Sequence, residues 1–248
     1  MQVVLYQYPG GDGVGSISPP CLRVDLALRL LGIEFKRKDL RGPKAVQAIS
    51  TTGRLPVLEI DGERFVESTR ILDHLEQRFD TPWVVDDPRM ASHLRLWEYA
   101  INDYFYWCGF SLRWVEPEGR ERFLSALLQK ADWMTRLFIR KFFIRTQEKR
   151  ARIHGVGARP VDEVIHEVER GLDLIVSDLG AGPFLLERST PSRADLTVLS
   201  LYSQSGYFDS MPIVKRLIEQ RPAILPYLRR VNDACGGDVP RWIAEATQ

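Results

Sequence analysis

With 248 residues, 44% of them hydrophobic, the chain can bury one large core or two modest ones, and two domains are expected. Its 34 Lys and Arg residues against 33 Asp and Glu exclude a polycationic surface for nucleic acid and an acidic tail, so any electrostatic partner must be met locally. Cys21, Cys108 and Cys235 are odd in number and widely spaced, "MQVVLYQ" carries no charged-then-apolar leader, and every apolar run is short; these predict a cytoplasmic protein without disulfides or an integral membrane segment.

In chain order, "QVVLYQY" is β-branched and aromatic and predicts a buried strand. A loop with Gly10, Gly11, Gly13 and Gly15 leads to a helix from Pro19 to Leu31, with Ser18 as N-cap, Pro19 at the first helical position and Gly32 as the stop. "IEFKRKDL" reads as a second strand and "RGPKAVQAIS" as a short helical or irregular piece. "RLPVLEIDGERFV" is two runs joined by Asp61-Gly62, a strong hairpin signal, and so predicts an antiparallel pair. Ser68 then stands as N-cap to a helix from Thr69 to Phe79. The glycine loop could cradle a nucleotide, with Asp39 as the ribose acid, only inside a continuing parallel unit. Its glycines do not fit GxGxxG, no Lys-Ser/Thr pair follows, and the hairpin breaks the parallel pattern. The loop is therefore expected only to deliver the chain to the helix.

The β-α-β-α-β-β-α order with a proline opening the hairpin is that of a thioredoxin-like domain. "GRLPVLEIDGERFVESTRILDHLEQRF", residues 53 to 79, resembles the glutathione-binding half of the glutathione S-transferase family, and "SPPCLRVDLALRLLGIEF" resembles that family's first helix and second strand. The resemblance implies that Pro56 is cis, turning the Leu55 backbone toward the cysteinyl part of glutathione like an added strand. By itself the sequence would equally allow a trans edge-strand proline. It further implies that Ser68 and the helix start receive the γ-glutamyl carboxylate, that Glu67 faces the ammonium, and that Arg54 pairs with the glycyl carboxylate. Ser18 falls where serine-type branches carry the hydroxyl that stabilises the glutathione thiolate; otherwise it only caps its helix. Cys21, one turn further on, is expected to be a buried small residue, while Tyr8 and Ser16 are alternative hydroxyls.

"DTPWVVDDPR" reads as a connector, giving a thioredoxin-like glutathione-binding domain at 1–82 and an all-helical substrate domain at 88–248. In the latter, Ser192 and Asp195 resemble the family's capping box, although the glycine usual near Glu187-Arg188 is missing. Trp97, Tyr104, Trp107 and Phe110 on the first long helix could line an electrophile site, though such spacing equally suits core packing. From Arg136 to Arg152 the segment "RLFIRKFFIRTQEKRAR" interleaves basic residues with Phe138, Phe142 and Phe143. It could form an anionic-substrate gate, a membrane-surface contact, a partner helix or simply a solvated basic face. Its continuation "IHGVGARPVDEV" resembles a bacterial branch related to the metaxin and failed-axon-connections proteins. The histidines show no ligand spacing, so no metal is expected. Together the resemblances imply a homodimeric glutathione transferase, with glutathione as co-substrate, that acts on a small hydrophobic electrophile in detoxification by conjugation or by reductase or peroxidase variants of the same thiolate chemistry. The alternative is a non-catalytic interaction protein that keeps the fold.

Overall fold

Strand β1 (Val3–Gln7) is buried along its whole length because it lies inside the sheet. In the computed structural model, which describes residues 1–11, 15–129, 131–205, 211–237 and 241–244, the sheet has the order β2-β1-β3-β4. Strand β2 (Lys36–Asp39) pairs with β1 in parallel, β3 (Val57–Ile60) pairs with it antiparallel, and β4 (Glu63–Val66) completes the hairpin. Alternation along β1 sends Val3 and Leu5 into the main core, while Val4 and Tyr6 join Cys21, Val46, Leu55 and Val57 on the opposite face. The edge strand β2 reads KRKD and is exposed throughout, a charged edge that discourages pairing with another chain. At the hairpin Asp61 and Gly62 both take positive φ, 50° and 92°, as the tight right-twisted turn requires.

Helix α1 (Pro19–Leu30) begins and ends as the sequence predicts, with Ser18 at the cap position and Gly32 left-handed at φ 64°. Helix α2 (Pro43–Gln47) is the short piece between β2 and β3. The start of α3 (Ser68–Arg78) differs from the prediction. Glu67 at φ 73° is the N-cap and its carboxylate accepts from the Arg70 amide at 3.2 Å, which makes Ser68 the first helical residue. The Ser68 hydroxyl is instead engaged by a buried arginine, described below.

Beyond α3 every described element is helical. A long path of α4 (Pro88–Tyr99), a π-helical turn (Ala100–Phe105) and α5 (Tyr106–Trp114) is followed by α6 (Pro117–Leu127). The basic segment spans α7 (Trp133–Phe138), a second π turn (Ile139–Phe143) and α8 (Ile144–Ile153), and Trp133, Phe138 and Phe142 stand 73%, 59% and 54% exposed. Arg140 there pairs with Glu121 of α6 at 2.9 Å. Helix α9 (Val161–Leu179) leads to α10 (Arg193–Tyr202), which packs on α1, and α11 (Pro212–Glu219), α12 (Ile224–Ala234) and α13 (Arg241–Ala244) follow.

The capping box is present in full. Asp195 Oδ2 accepts from the Ser192 amide at 2.6 Å and Ser192 Oγ accepts from the Asp195 amide at 3.3 Å, while Asp195 Oδ1 also takes bonds from the Leu185 amide and the Tyr227 hydroxyl. Where the family usually has glycine, Leu186 and Glu187 adopt φ 56° themselves, and Glu187 Oε1 accepts from the Ala181 amide at 3.0 Å. The loop thus keeps a left-handed path at the cost of placing side chains where glycine would sit without strain. Among the described residues no helix is long and apolar enough to cross a membrane.

Candidate functional site

Helix α1 connects the residues the sequence singles out. Ser18, half-buried at its N-cap, accepts no side-chain cap bond; its amide donates to Ser16 Oγ at 3.2 Å, and Ser16 Oγ donates to the Tyr8 carbonyl at 2.7 Å. One turn on, Cys21 is fully buried in the cluster that contains Leu55 and Val57 and is flanked by Tyr8. Burial outweighs hydrogen bonding from Ser18, the Tyr8 backbone and Ser16, and the Cys21 thiol is pushed up to about 11. Cys21 is therefore a neutral core thiol at physiological pH, in keeping with the expectation for it. Cys108 and Cys235 are equally buried, each pushed up to about 12 chiefly by burial. A thiol reagent at about pH 8 is expected to find less than one reactive cysteine per native chain and all three after denaturation, since the thiolate is the reacting species. A full equivalent of fast reaction in the native protein would contradict this burial.

The Leu55–Pro56 peptide is cis. The Arg54 amide donates to Ser50 Oγ at 3.2 Å and its side chain is exposed. At the head of α3, Glu67 is exposed and Ser68 is buried, only 5% exposed.

What orients Ser68 is a residue the sequence reading passed over. Arg23, on the next positions of α1 after Cys21, is fully buried and donates to Ser68 Oγ at 2.6 Å, Thr69 Oγ1 at 3.0 Å and Thr197 Oγ1 at 3.4 Å. Its charge is met by Glu98 of α4 at 2.9 Å, and Glu98 also receives Arg193 of α10 at 3.0 Å and Arg95 at 3.1 Å. Burial pulls the Arg23 guanidinium down to about 10 against the opposing pull of Glu98, which leaves it charged at neutral pH. With Arg23 donating into its oxygen, the Ser68 hydroxyl still has its own proton to donate.

The side chains expected to line an electrophile site divide into two sets. The Trp97 indole donates to Asp178 and the Tyr104 hydroxyl accepts from Arg159 at 3.1 Å, so both are committed to packing toward α9 and its approach. Trp107 and Phe110 instead meet Arg150 of α8 and Tyr106. The π turn before α5 inserts an extra residue into the helical repeat between Tyr99 and Tyr106. Arg113 of α5 donates to the Gln204 carbonyl at 3.2 Å, and Gln204 Nε2 donates to the Ser16 carbonyl at 3.2 Å, so the helical region is tied to the loop that enters α1. Asp39, the ribose-acid candidate of the discarded nucleotide reading, accepts from Gln7 at 3.1 Å and serves the sheet.

Comparison with known proteins agrees with this architecture. The family model of the glutathione S-transferase N-terminal domain matches residues 16–83. Failed axon connections of Drosophila melanogaster is 24% identical over 97% of this chain, which spans 59% of that protein's length. Isoprene-epoxide–glutathione S-transferase of Rhodococcus sp. strain AD45 is likewise 24% identical, over 93% of this chain and 98% of its own. Among solved structures, rice GST1 in complex with glutathione superposes with a TM-score of 0.65 at 15% identity, covering 99% of this chain and 96% of that one, which speaks for the fold. Residues 16–83 thus match the N-terminal domain of the glutathione S-transferases, and the four-stranded mixed sheet with its helical remainder has the glutathione S-transferase fold.

Proposed function

We propose that the chain is a glutathione-dependent transferase acting as a cytoplasmic homodimer on a small electrophile. Arg54, Leu55, Pro56, Glu67 and Ser68 bind glutathione, and Ser18 stabilises its thiolate. The thiol proton leaves to solvent, the sulfur forms a C–S bond, and the electrophile's leaving group departs or its strained C–O bond opens. The observation that carries this reading is the Ser18 hydroxyl: it stands at the N-terminus of α1 with no cap bond of its own. The neighbouring Cys21 is a neutral thiol, so an incoming thiolate is the stronger acceptor for that hydroxyl and for the helix end. The relative named isoprene-epoxide–glutathione S-transferase, matched over almost its whole length, supports a small electrophile as the second substrate.

Calorimetric titration with glutathione tests the binding half. Wild type is expected to bind, and Glu67→Ala and Ser68→Ala to lose about 1–3 kcal/mol each, because each leaves a charged group of the ligand short of a partner. Since Glu67 also caps α3, its removal costs about 1 kcal/mol of stability as well, and melting temperatures must be followed beside affinity. Unchanged affinity in both variants would remove these residues from the site. A wild type that ignores glutathione would leave the non-catalytic interaction protein as the better reading.

A further inference from the structure

Helices α5 and α8 present aromatic and cationic side chains to which the glutathione contacts assign no task. Arg150 lies with its guanidinium carbon 5.3 Å from the Phe110 ring centre and 5.9 Å from that of Trp107. It donates to Gln147 Oε1 at 3.0 Å, and among the described residues no carboxylate pairs with it. Trp107 is itself fixed by stacking on His154, ring centres 3.5 Å apart, and Tyr106 packs edge-on against Trp107 at 5.3 Å. The guanidinium is therefore held in a set orientation with most of its five donors unspent.

Helix α5, which carries Tyr106, Trp107 and Phe110, is tied to the loop that enters α1. The charges of Arg150 and Arg54 reach Tyr8, and those of Arg150, Arg113 and Arg54 reach Tyr106. Both phenols are raised, first by burial, so both remain O–H donors at neutral pH. The Arg113–Gln204–Ser16 chain fixes the distance between the two sides. Two phenolic donors and a half-buried, oriented guanidinium without a carboxylate partner favour an anion, and a planar one above all, because the guanidinium fork matches a carboxylate bidentately. A neutral or cationic group placed there would leave those donors unmatched.

We propose that Arg150, with Tyr106 and Tyr8 beside it, forms a carboxylate-binding subsite, so that the second substrate is an electrophile bearing a carboxylate. This rests on the glutathione transferase reading.

The test compares 4-chloro-3-nitrobenzoate with 4-chloro-3-nitrobenzamide, which share ring and leaving group; in both the thiolate sulfur forms the C–S bond as chloride departs. With each rate divided by that of uncatalysed glutathione thiolate attack, since an amide para to the chloride activates it more than a carboxylate does, wild type is expected to favour the benzoate at least tenfold in kcat/KM, through KM. Arg150→Gln should bring that ratio to within about twofold of one, and Arg150→Lys should restore part of it. Loosened packing alone would depress both compounds together and leave the ratio standing, which would overturn the proposal, as would a wild-type ratio near one. Calorimetry with glutathione separates the two carboxylates: a tenfold loss of glutathione affinity in Arg150→Gln with the ratio unmoved would give the subsite to glutathione and overturn it. Should wild type conjugate neither compound, quenching of tryptophan fluorescence still reads the subsite. Benzoate binding at least tenfold tighter than benzamide, lost in Arg150→Gln, upholds the subsite and equal quenching overturns it, while glutathione titration decides the transferase reading separately.

Discussion

Ser18→Ala is expected to raise the apparent pKa of the conjugation rate profile by about one to two units and to lower the rate at neutral pH about ten- to a hundredfold, with glutathione affinity nearly unchanged. A hydrogen bond to a charged acceptor contributes roughly 1.5–3 kcal/mol, and one pKa unit corresponds to about 1.36 kcal/mol. The hydroxyl favours the anion over the thiol, so its loss shifts ionisation rather than binding. The structure adds a control to this experiment. Because the Ser18 side chain makes no cap bond, the variant should melt within about 0.5 kcal/mol of wild type, unlike an ordinary cap deletion. The helix end survives the change, so residual activity is expected. A displaced profile in Tyr8→Phe, with none in Ser18→Ala, would move the activating hydroxyl to the strand. Loss of turnover confined to Cys21→Ser would point to thiol–disulfide exchange, which the burial of that thiol opposes.

The largest loss of stability is expected from Glu98→Ala. Glu98 is 2% exposed and is the acceptor shared by Arg23, Arg193 and Arg95, with the Arg23 side chain 1% exposed and that of Arg193 7%. Asp73 and Glu76 also accept from Arg193, at 2.6 and 3.1 Å, but among the described residues Arg23 has Glu98 as its carboxylate partner. Removing one member of a buried pair leaves the other charge uncompensated and costs about 3–5 kcal/mol. For a chain of this size that lowers the melting temperature by roughly 6–20 °C. A shift below about 2 °C would mean that water reaches Arg23 and takes the place of Glu98. Arg23→Met should be milder than Glu98→Ala, because it removes the orphaned charge and keeps an apolar volume, while still depriving Ser68 of its donor.

The parts of this molecule legible in its sequence are those set by local chemistry. Asp61-Gly62 makes a turn that only positive φ permits, Ser192 and Asp195 satisfy each other's amides within one helical turn, and Gly32 ends α1 without outside help. The cis peptide at Pro56 came from a resemblance to other chains, since a proline before a strand is compatible with either isomer. What escaped the reading was set by distance along the chain. Arg23 and Asp25 sit in "LRVDLALRLL" as charges a helix would normally turn to solvent, yet both are fully buried. Their partners explain why: Glu98 is 75 positions from Arg23, and Arg37 reaches Asp25 from β2. Tyr106 packs against Trp107 and Phe110, which the sequence does single out, but Arg150, which meets those two rings, comes from α8, far along the chain, and no spacing in α5 announces it. The Ser68 cap was misplaced by one residue because Glu67 can accept the same amide from a left-handed backbone, an uncommon conformation for a residue with a side chain.

The shared carboxylate of Glu98 also determines how the chain can come apart. Arg23 belongs to the helix that follows the first strand, Glu98 to the first helix beyond the sheet, and Arg193 to a helix nearly a hundred positions later. A fragment ending after α3 would retain Arg23 with Ser68 and Thr69 but lose Glu98, Thr197 and Arg193, and with α4 and α10 gone the face of α1 that carries Arg23 would open to water. The thioredoxin-like half is therefore expected to be less stable when cut free. Local opening at the Ser68 end of α3 should require α4 and α10 to release with it, so amide hydrogens at that end should exchange at a rate set by the whole molecule rather than by a fraying helix.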